Sequence, residues 1–150
     1  MKILLASAAV ILSMGGAALA QGMPAEVKAR QGQFRILAIN LGILGGMAKG
    51  EVEYSAEAAQ AAADSIVGVS MVNQAPLWPA GTDSMSIEGT RAMPAIWDNL
   101  PDVVAKWQAL GAAAAELQQV AGTGKDAIGP MLGKIGGTCK ACHDAYREPQ

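Results

Sequence analysis

Four stretches of this chain place apolar residues every three or four positions, and clusters of glycine and proline separate them. That spacing builds one apolar stripe on a helix, whereas a half-buried strand needs alternation at every second residue, which no segment shows. The expected fold is therefore all-α: an antiparallel four-helix bundle, up-down-up-down, with one long loop between the second and third helices. The first helix is predicted from Pro24 to about Lys49-Gly50, with Val27, Phe34, Leu37, Leu41 and Leu44 as its inward stripe. Ser55 is a candidate N-cap for the second, whose stripe is Ala59, Ala62, Ile66 and Val69. Breakers then gather from Asn73 to Met93, including Pro76, Pro79, Gly81 and Gly89. A third helix is predicted from near Pro94, striped from Ile96 through Leu100, Val103, Trp107, Leu110, Ala114 and Leu117 to Ala121. Gly122-Thr123-Gly124 precedes a fourth, carrying Ile128, Met131, Ile135, Cys139, Cys142 and Tyr146, with Pro130 a candidate kink.

The first twenty residues are of another kind. Lys2, an apolar run from Ile3 to Leu12 and the small-x-small end Ala18-Leu19-Ala20 read as a secretory signal removed before Gln21. Ser7, Ser13, Gly15 and Gly16 interrupt the run, which falls short of the ~20 apolar residues that span a bilayer. Residues 21–150 are thus expected to be one exported domain without a membrane anchor, in the periplasm of a bacterial cell. A formal net charge of -2 offers no basic field for a nucleic-acid backbone.

The two cysteines and the single histidine of the whole chain fall within five residues, Cys139-Lys140-Ala141-Cys142-His143. Chance assembles such a run with odds on the order of 10⁻⁴, and C-x-x-C-H is the attachment signal for c-type haem. Two thiols add to the two vinyl groups at one porphyrin edge, and the following imidazole becomes the proximal iron ligand. On a helix, positions 139, 142 and 143 lie three and four apart and share a face. A redox dithiol would want a βαβ context, and a zinc site would lack its fourth ligand.

The sixth coordination position is decided by what faces His143. No second histidine exists. Met131 lies twelve residues earlier on the same helix, about 18 Å away at ~1.5 Å per residue, and cannot cross to the opposite face. Spacing leaves Met71, Met85 and Met93 open, and Met23 and Met47 sit at the two ends of the first helix. The middle of that helix offers Phe34 and Leu37, an apolar wall. Iron held by one imidazole beneath such a wall is five-coordinate and high-spin, and suited to NO or CO more than to O₂. On periodicity alone Phe34 reads first as a core aromatic.

The residues around these motifs resemble the cytochrome c′ family, the class II c-type cytochromes. The C-terminal Cys139-to-His143 run continues as Asp144-Ala145-Tyr146-Arg147. Further matching segments are Arg30-Gln31 with Leu41-Gly42 and Lys49-Gly50, then Leu77-Trp78-Pro79-Ala80-Gly81-Thr82, and Thr90-Arg91-Ala92-Met93-Pro94-Ala95-Ile96-Trp97. The resemblance implies a bundle, commonly dimeric, that holds one haem c and serves electron transfer or NO binding. It makes Phe34 the distal residue, places Arg30 and Gln31 at haem propionates, sets Thr90 and Arg91 over the same edge, and puts Arg147 beside the proximal imidazole. An outward strip, Ile36, Ile39, Ile43 and Met47, is the expected homodimer surface on the first helix. The alternative is a low-spin, Met-ligated electron carrier of the same class, with redox partners the sequence does not name. A peroxidase would want a distal acid-base group, which the Phe34 site does not offer.

Overall fold

The structure, a computed structural model, describes residues 22–149, so the expected signal segment lies outside the described residues. Four long helices form the bundle: α1 (Ala25–Lys49), α2 (Ala56–Ser70), α4 (Leu100–Val120) and α5 (Lys125–Tyr146). A single-turn helix, α3 (Ala95–Asp98), precedes α4, and a 3₁₀ turn, Ala75–Leu77, sits in the long loop. Each long helix packs on two others, α1 on α2 and α5, and α4 on α2 and α5. Among the described residues the β pairing is one isolated antiparallel bridge, Ala92 with Arg147.

Local chemistry explains the helix ends. Ser55 caps α2 by accepting from the Ala58 amide at 3.2 Å, as expected. After Lys49 the chain enters the left-handed region at Gly50, φ 75°, and the amides of Gly50, Glu51 and Val52 bond back to the last turn of α1. One boundary departs from the sequence reading: the third long helix starts at Leu100, not near Pro94. Asn99 breaks the stripe with φ -146° and caps α4 through the Asp102 amide. The cause is Pro101, whose ring would collide with the carbonyl four residues back in a continuous helix but is tolerated in a first turn. Pro130, also suspected of distorting its helix, lies inside α5, which runs through it.

The predicted stripes supply the main core: Leu37 and Leu44 from α1, Ala59, Ala62 and Ile66 from α2, Leu110, Ala114 and Leu117 from α4, Ile128 and Ile135 from α5. Its alanines let helices approach closely. A smaller cluster, Ile96, Val103 and Tyr146, closes the other end with Trp78 and Trp97 against it. Cys139 packs on the first cluster and Cys142 on the second, so the motif lies at the seam between them. Met47 corrects the expected outward strip: Ile36, Ile39 and Ile43 are exposed, but Met47 belongs to the core, where the returning chain encloses the end of α1.

Candidate functional site

The site forms where the last turns of α5 face the middle of α1. Cys139 and Cys142 are unpaired thiols, half-buried, and burial pushes both pKa values up, so they remain protonated thiols at neutral pH. His143 follows on the same helix. Its pKa is lowered, first by burial and then by the Arg147 and Arg91 guanidiniums, with Asp144 opposing. A neutral imidazole is the form a metal ligand requires.

Phe34 stands across from it. Its ring is 6.3 Å from the His143 ring and 5.9 Å from that of Trp107, both edge-to-face. The stripe reading had pointed Phe34 into the core; instead it is 36% exposed and directed at the motif. Trp107 was legible only as one member of the α4 stripe, yet its indole, fixed by a 2.8 Å bond to the Ser70 carbonyl, backs Phe34.

His143 also borders an open cavity of about 580 Å³, walled by Arg91, Met93, Asp144, Arg147, Glu148 and Pro149. Arg147, one turn after His143, is exposed there. The Asp144 carboxylate pairs with Lys140, and that of Glu148 accepts from the Ser84 hydroxyl at 2.6 Å. Arg91 donates to the Glu148 carbonyl. Met93 shares this wall, while Met71 and Met85 are exposed, Met131 packs against the main core and Met23 lies against Gly89.

Arg30 and Gln31 are placed differently from two side chains simply reaching for propionates. The Arg30 guanidinium is 2% exposed and lies 4.6 Å from the Trp78 ring and 5.9 Å from that of Trp97. Its Nη1 donates to the Leu77 carbonyl and to Thr82 Oγ1, and its Nη2 to the Thr82 carbonyl and to Thr90 Oγ1. Gln31 donates to the Gly89 carbonyl at 2.7 Å. The roles of Thr82, Trp78 and Trp97 were not visible in their spacing, because the contacts join residues far apart in the chain.

The donor set fits a covalently held haem. Two protonated thiols and a neutral imidazole share one helix end, at a seam between two apolar clusters and opposite an aromatic wall.

Comparison with known proteins agrees. The model of the family described as Cytochrome C' matches residues 25–147. The chain belongs to the cytochrome c′ family. Cytochrome c′ of Cereibacter sphaeroides is 38% identical over 146 residues, 97% of each chain. The solved cytochrome c′ from Rhodobacter spheriodes superposes with a TM-score of 0.79 at 39% identity, covering 83% of this chain and 96% of that one. A nitric oxide complex of a variant cytochrome c′ from Alcaligenes xylosoxidans gives 0.71 at 29% identity, covering 83% and 94%. Membership of this family implies haem c as the cofactor, and Cys139, Cys142 and His143 are the chain's match to its attachment signal.

Proposed function

We propose that residues 21–150 work as an exported, periplasmic haem protein after removal of the signal at Ala20, carrying one electron and binding NO or CO. The observation that carries this reading is the Phe34 ring standing opposite His143 with Trp107 behind it. Haem, when bound, supplies an iron that changes oxidation state by one electron and takes a diatomic ligand. Cys139 and Cys142 present the thiols for its two thioether bonds, and His143 offers the imidazole nitrogen. Phe34 occupies the opposite wall without a lone pair to ligate and without a proton to donate. That wall would favour five-coordinate, high-spin iron and offers no hydrogen-bond donor to a diatomic ligand. It also offers no acid-base group for cleaving peroxide, so the protein acts as a carrier and not as an enzyme.

Arg30 and Gln31, through the loop they hold, and Thr90 and Arg91 would border the propionate edge of the haem, and burial, with Arg147 and Arg91 adding to it, keeps the imidazole neutral. The Alcaligenes relative solved with nitric oxide supports the ligand class. The exposed Ile36, Ile39 and Ile43 of α1 support a homodimer through that helix. Phe34 is the residue whose ring stands against His143, which argues against a low-spin, Met-ligated centre.

The test is the absorption spectrum of the reduced, purified protein. A high-spin spectrum that changes with NO or CO and little with O₂ is expected. A low-spin spectrum unaffected by these gases would overturn the reading in favour of a Met-ligated carrier.

A further inference from the structure

Arg30 is a buried cation: among the described residues its four hydrogen bonds go to carbonyls and threonine hydroxyls, no ion pair includes it, and Asp83 acts on it only through its field. Taking a guanidinium out of water is costly unless its protons are all received. The recipients all lie in one segment, the long loop, at Leu77, Thr82 and Thr90, and the Trp78 ring on which the guanidinium stacks belongs to it too. Neighbouring side chains of α1 extend the same grip. Gln31 donates to Gly89, and the buried Gln33 and Gln74 exchange amide bonds at 2.9 and 3.1 Å. Helix α1 therefore holds the loop along nearly its whole length.

The far end of the loop is tied to the last residue of α5 and the chain just after it. The Met93 amide donates to the Tyr146 carbonyl at 3.0 Å, and the Glu148 amide to the Arg91 carbonyl at 2.9 Å. Ser84 reaches the Glu148 carboxylate, and Arg91 the Glu148 carbonyl. The loop is thus held on one side by Arg30, one turn before Phe34, at Leu77, Thr82 and Thr90, and on the other, at Ser84, Arg91 and Met93, by residues about one turn after His143.

We propose that residues 73–93 are a strap joining the Phe34 wall to the His143 end of α5, with Arg30 as the positioning residue on the α1 side and the Ser84–Glu148 pair as the clasp on the α5 side. Loosening either anchor shifts the same segment, and with it Arg91 and Met93, which share a cavity wall with the imidazole. The proposal rests on the haem reading above for its consequence but not for its geometry.

The test is amide hydrogen exchange on the haem-loaded protein. Arg30→Met is expected to speed exchange of the Met93 and Glu148 amides about tenfold or more, the scale of losing hydrogen bonds to a charged donor, while α2 and α4 amides keep their protection. Arg30→Lys, which keeps the charge but cannot fork to three loop residues, is expected to do the same. Thr82→Val removes one recipient and serves where Arg30→Met fails to fold. Combining Arg30→Met with Ser84→Ala should give less than the product of the single effects, and both single variants should move the visible absorption maximum in the same direction. Faster exchange confined to residues 74–90, uniform acceleration across all helices, or strictly multiplicative effects would each overturn the strap. A low-spin spectrum accompanied by the coupled exchange pattern would overturn the ligand reading and leave the strap standing.

Discussion

The Tyr146 hydroxyl donates to Asp102 Oδ2 across 2.6 Å, joining the last turn of α5 to the first turn of α4 one turn beyond the histidine of the haem motif. Lys106 approaches the same carboxylate oxygen at 3.4 Å. The hydrogen bond from Tyr146 is the main reason the Asp102 pKa is lowered, and the bond to Asp102 is the main reason that of Tyr146 is pushed up to about 12. A carboxylate with a depressed folded-state value contributes stability that is present above its unfolded value and lost as pH falls through the folded one. A phenol with a raised value contributes stability that is present below its unfolded value, about 10, and lost as pH rises towards 12. Tyr146→Phe should therefore lower the unfolding midpoint by a similar amount across neutral pH. The difference from the parent should shrink in acid below the ordinary carboxylate range and again in strong alkali. Urea unfolding of both proteins over a pH series reads this directly, and a difference that stays constant into acid would contradict it.

Phe34→Ala removes the ring opposite His143 while leaving both core clusters intact, since neither contains it. Association of CO with the reduced protein should become faster, because the side chain that a ligand must displace is gone. The loss of stability should fall below the ~3–5 kcal/mol typical of a fully buried Phe→Ala, because 36% of the residue is already exposed. Flash photolysis or stopped flow measures the first effect and thermal unfolding the second. Unchanged CO association would remove Phe34 from the ligand path.

How far these features could be read beforehand depended on the range of the interaction behind them. The helices and the stripe residues Leu37, Leu44, Ile66, Leu117 and Ile135 were legible because a repeat of three and four is local, and the attachment motif was legible because its five residues are consecutive. The break at Asn99 had a local signal too, in Pro101, but the uninterrupted apolar spacing from Ile96 masked it. The destination of Arg30 had none. Its partners, Thr82 and Thr90, are 52 and 60 residues away, and a lone arginine on a helix looks the same whether it faces solvent or a pair of indoles. Periodicity alone put Phe34 in the core, and the family resemblance marked it as the distal residue: periodicity identifies the face of a helix, but not which part of that face meets another helix and which part meets a ligand.

Substitutions in the motif separate attachment from ligation. His143→Ala should leave colour that acidic acetone does not extract, since both thioethers can still form, while the spectrum of the reduced protein loses the signature of imidazole ligation. Replacing both Cys139 and Cys142 by Ser should make the pigment extractable or abolish it. Acid-acetone extraction followed by absorption at the Soret band distinguishes the two variants. A pigment that extracts freely from the unsubstituted protein would refute covalent attachment through these residues.

The exposed isoleucines of α1 make a prediction about assembly. Ile39 is 65% exposed, Ile36 48% and Ile43 40%, and all three lie on one side of the helix within two turns. Burying one such side chain against a partner is worth about 1.5–3 kcal/mol, and a two-fold dimer uses each twice, so a single charge in the strip should be enough to split it. Ile39→Lys places like charges opposite each other across such an axis and should convert a dimer into a monomer at micromolar concentration. Because Ile39 touches neither core cluster, helical circular dichroism and the haem spectrum should be unchanged. Sedimentation velocity on the parent and the variant decides the matter, and a parent that already sediments as a monomer would rule out this strip as the contact.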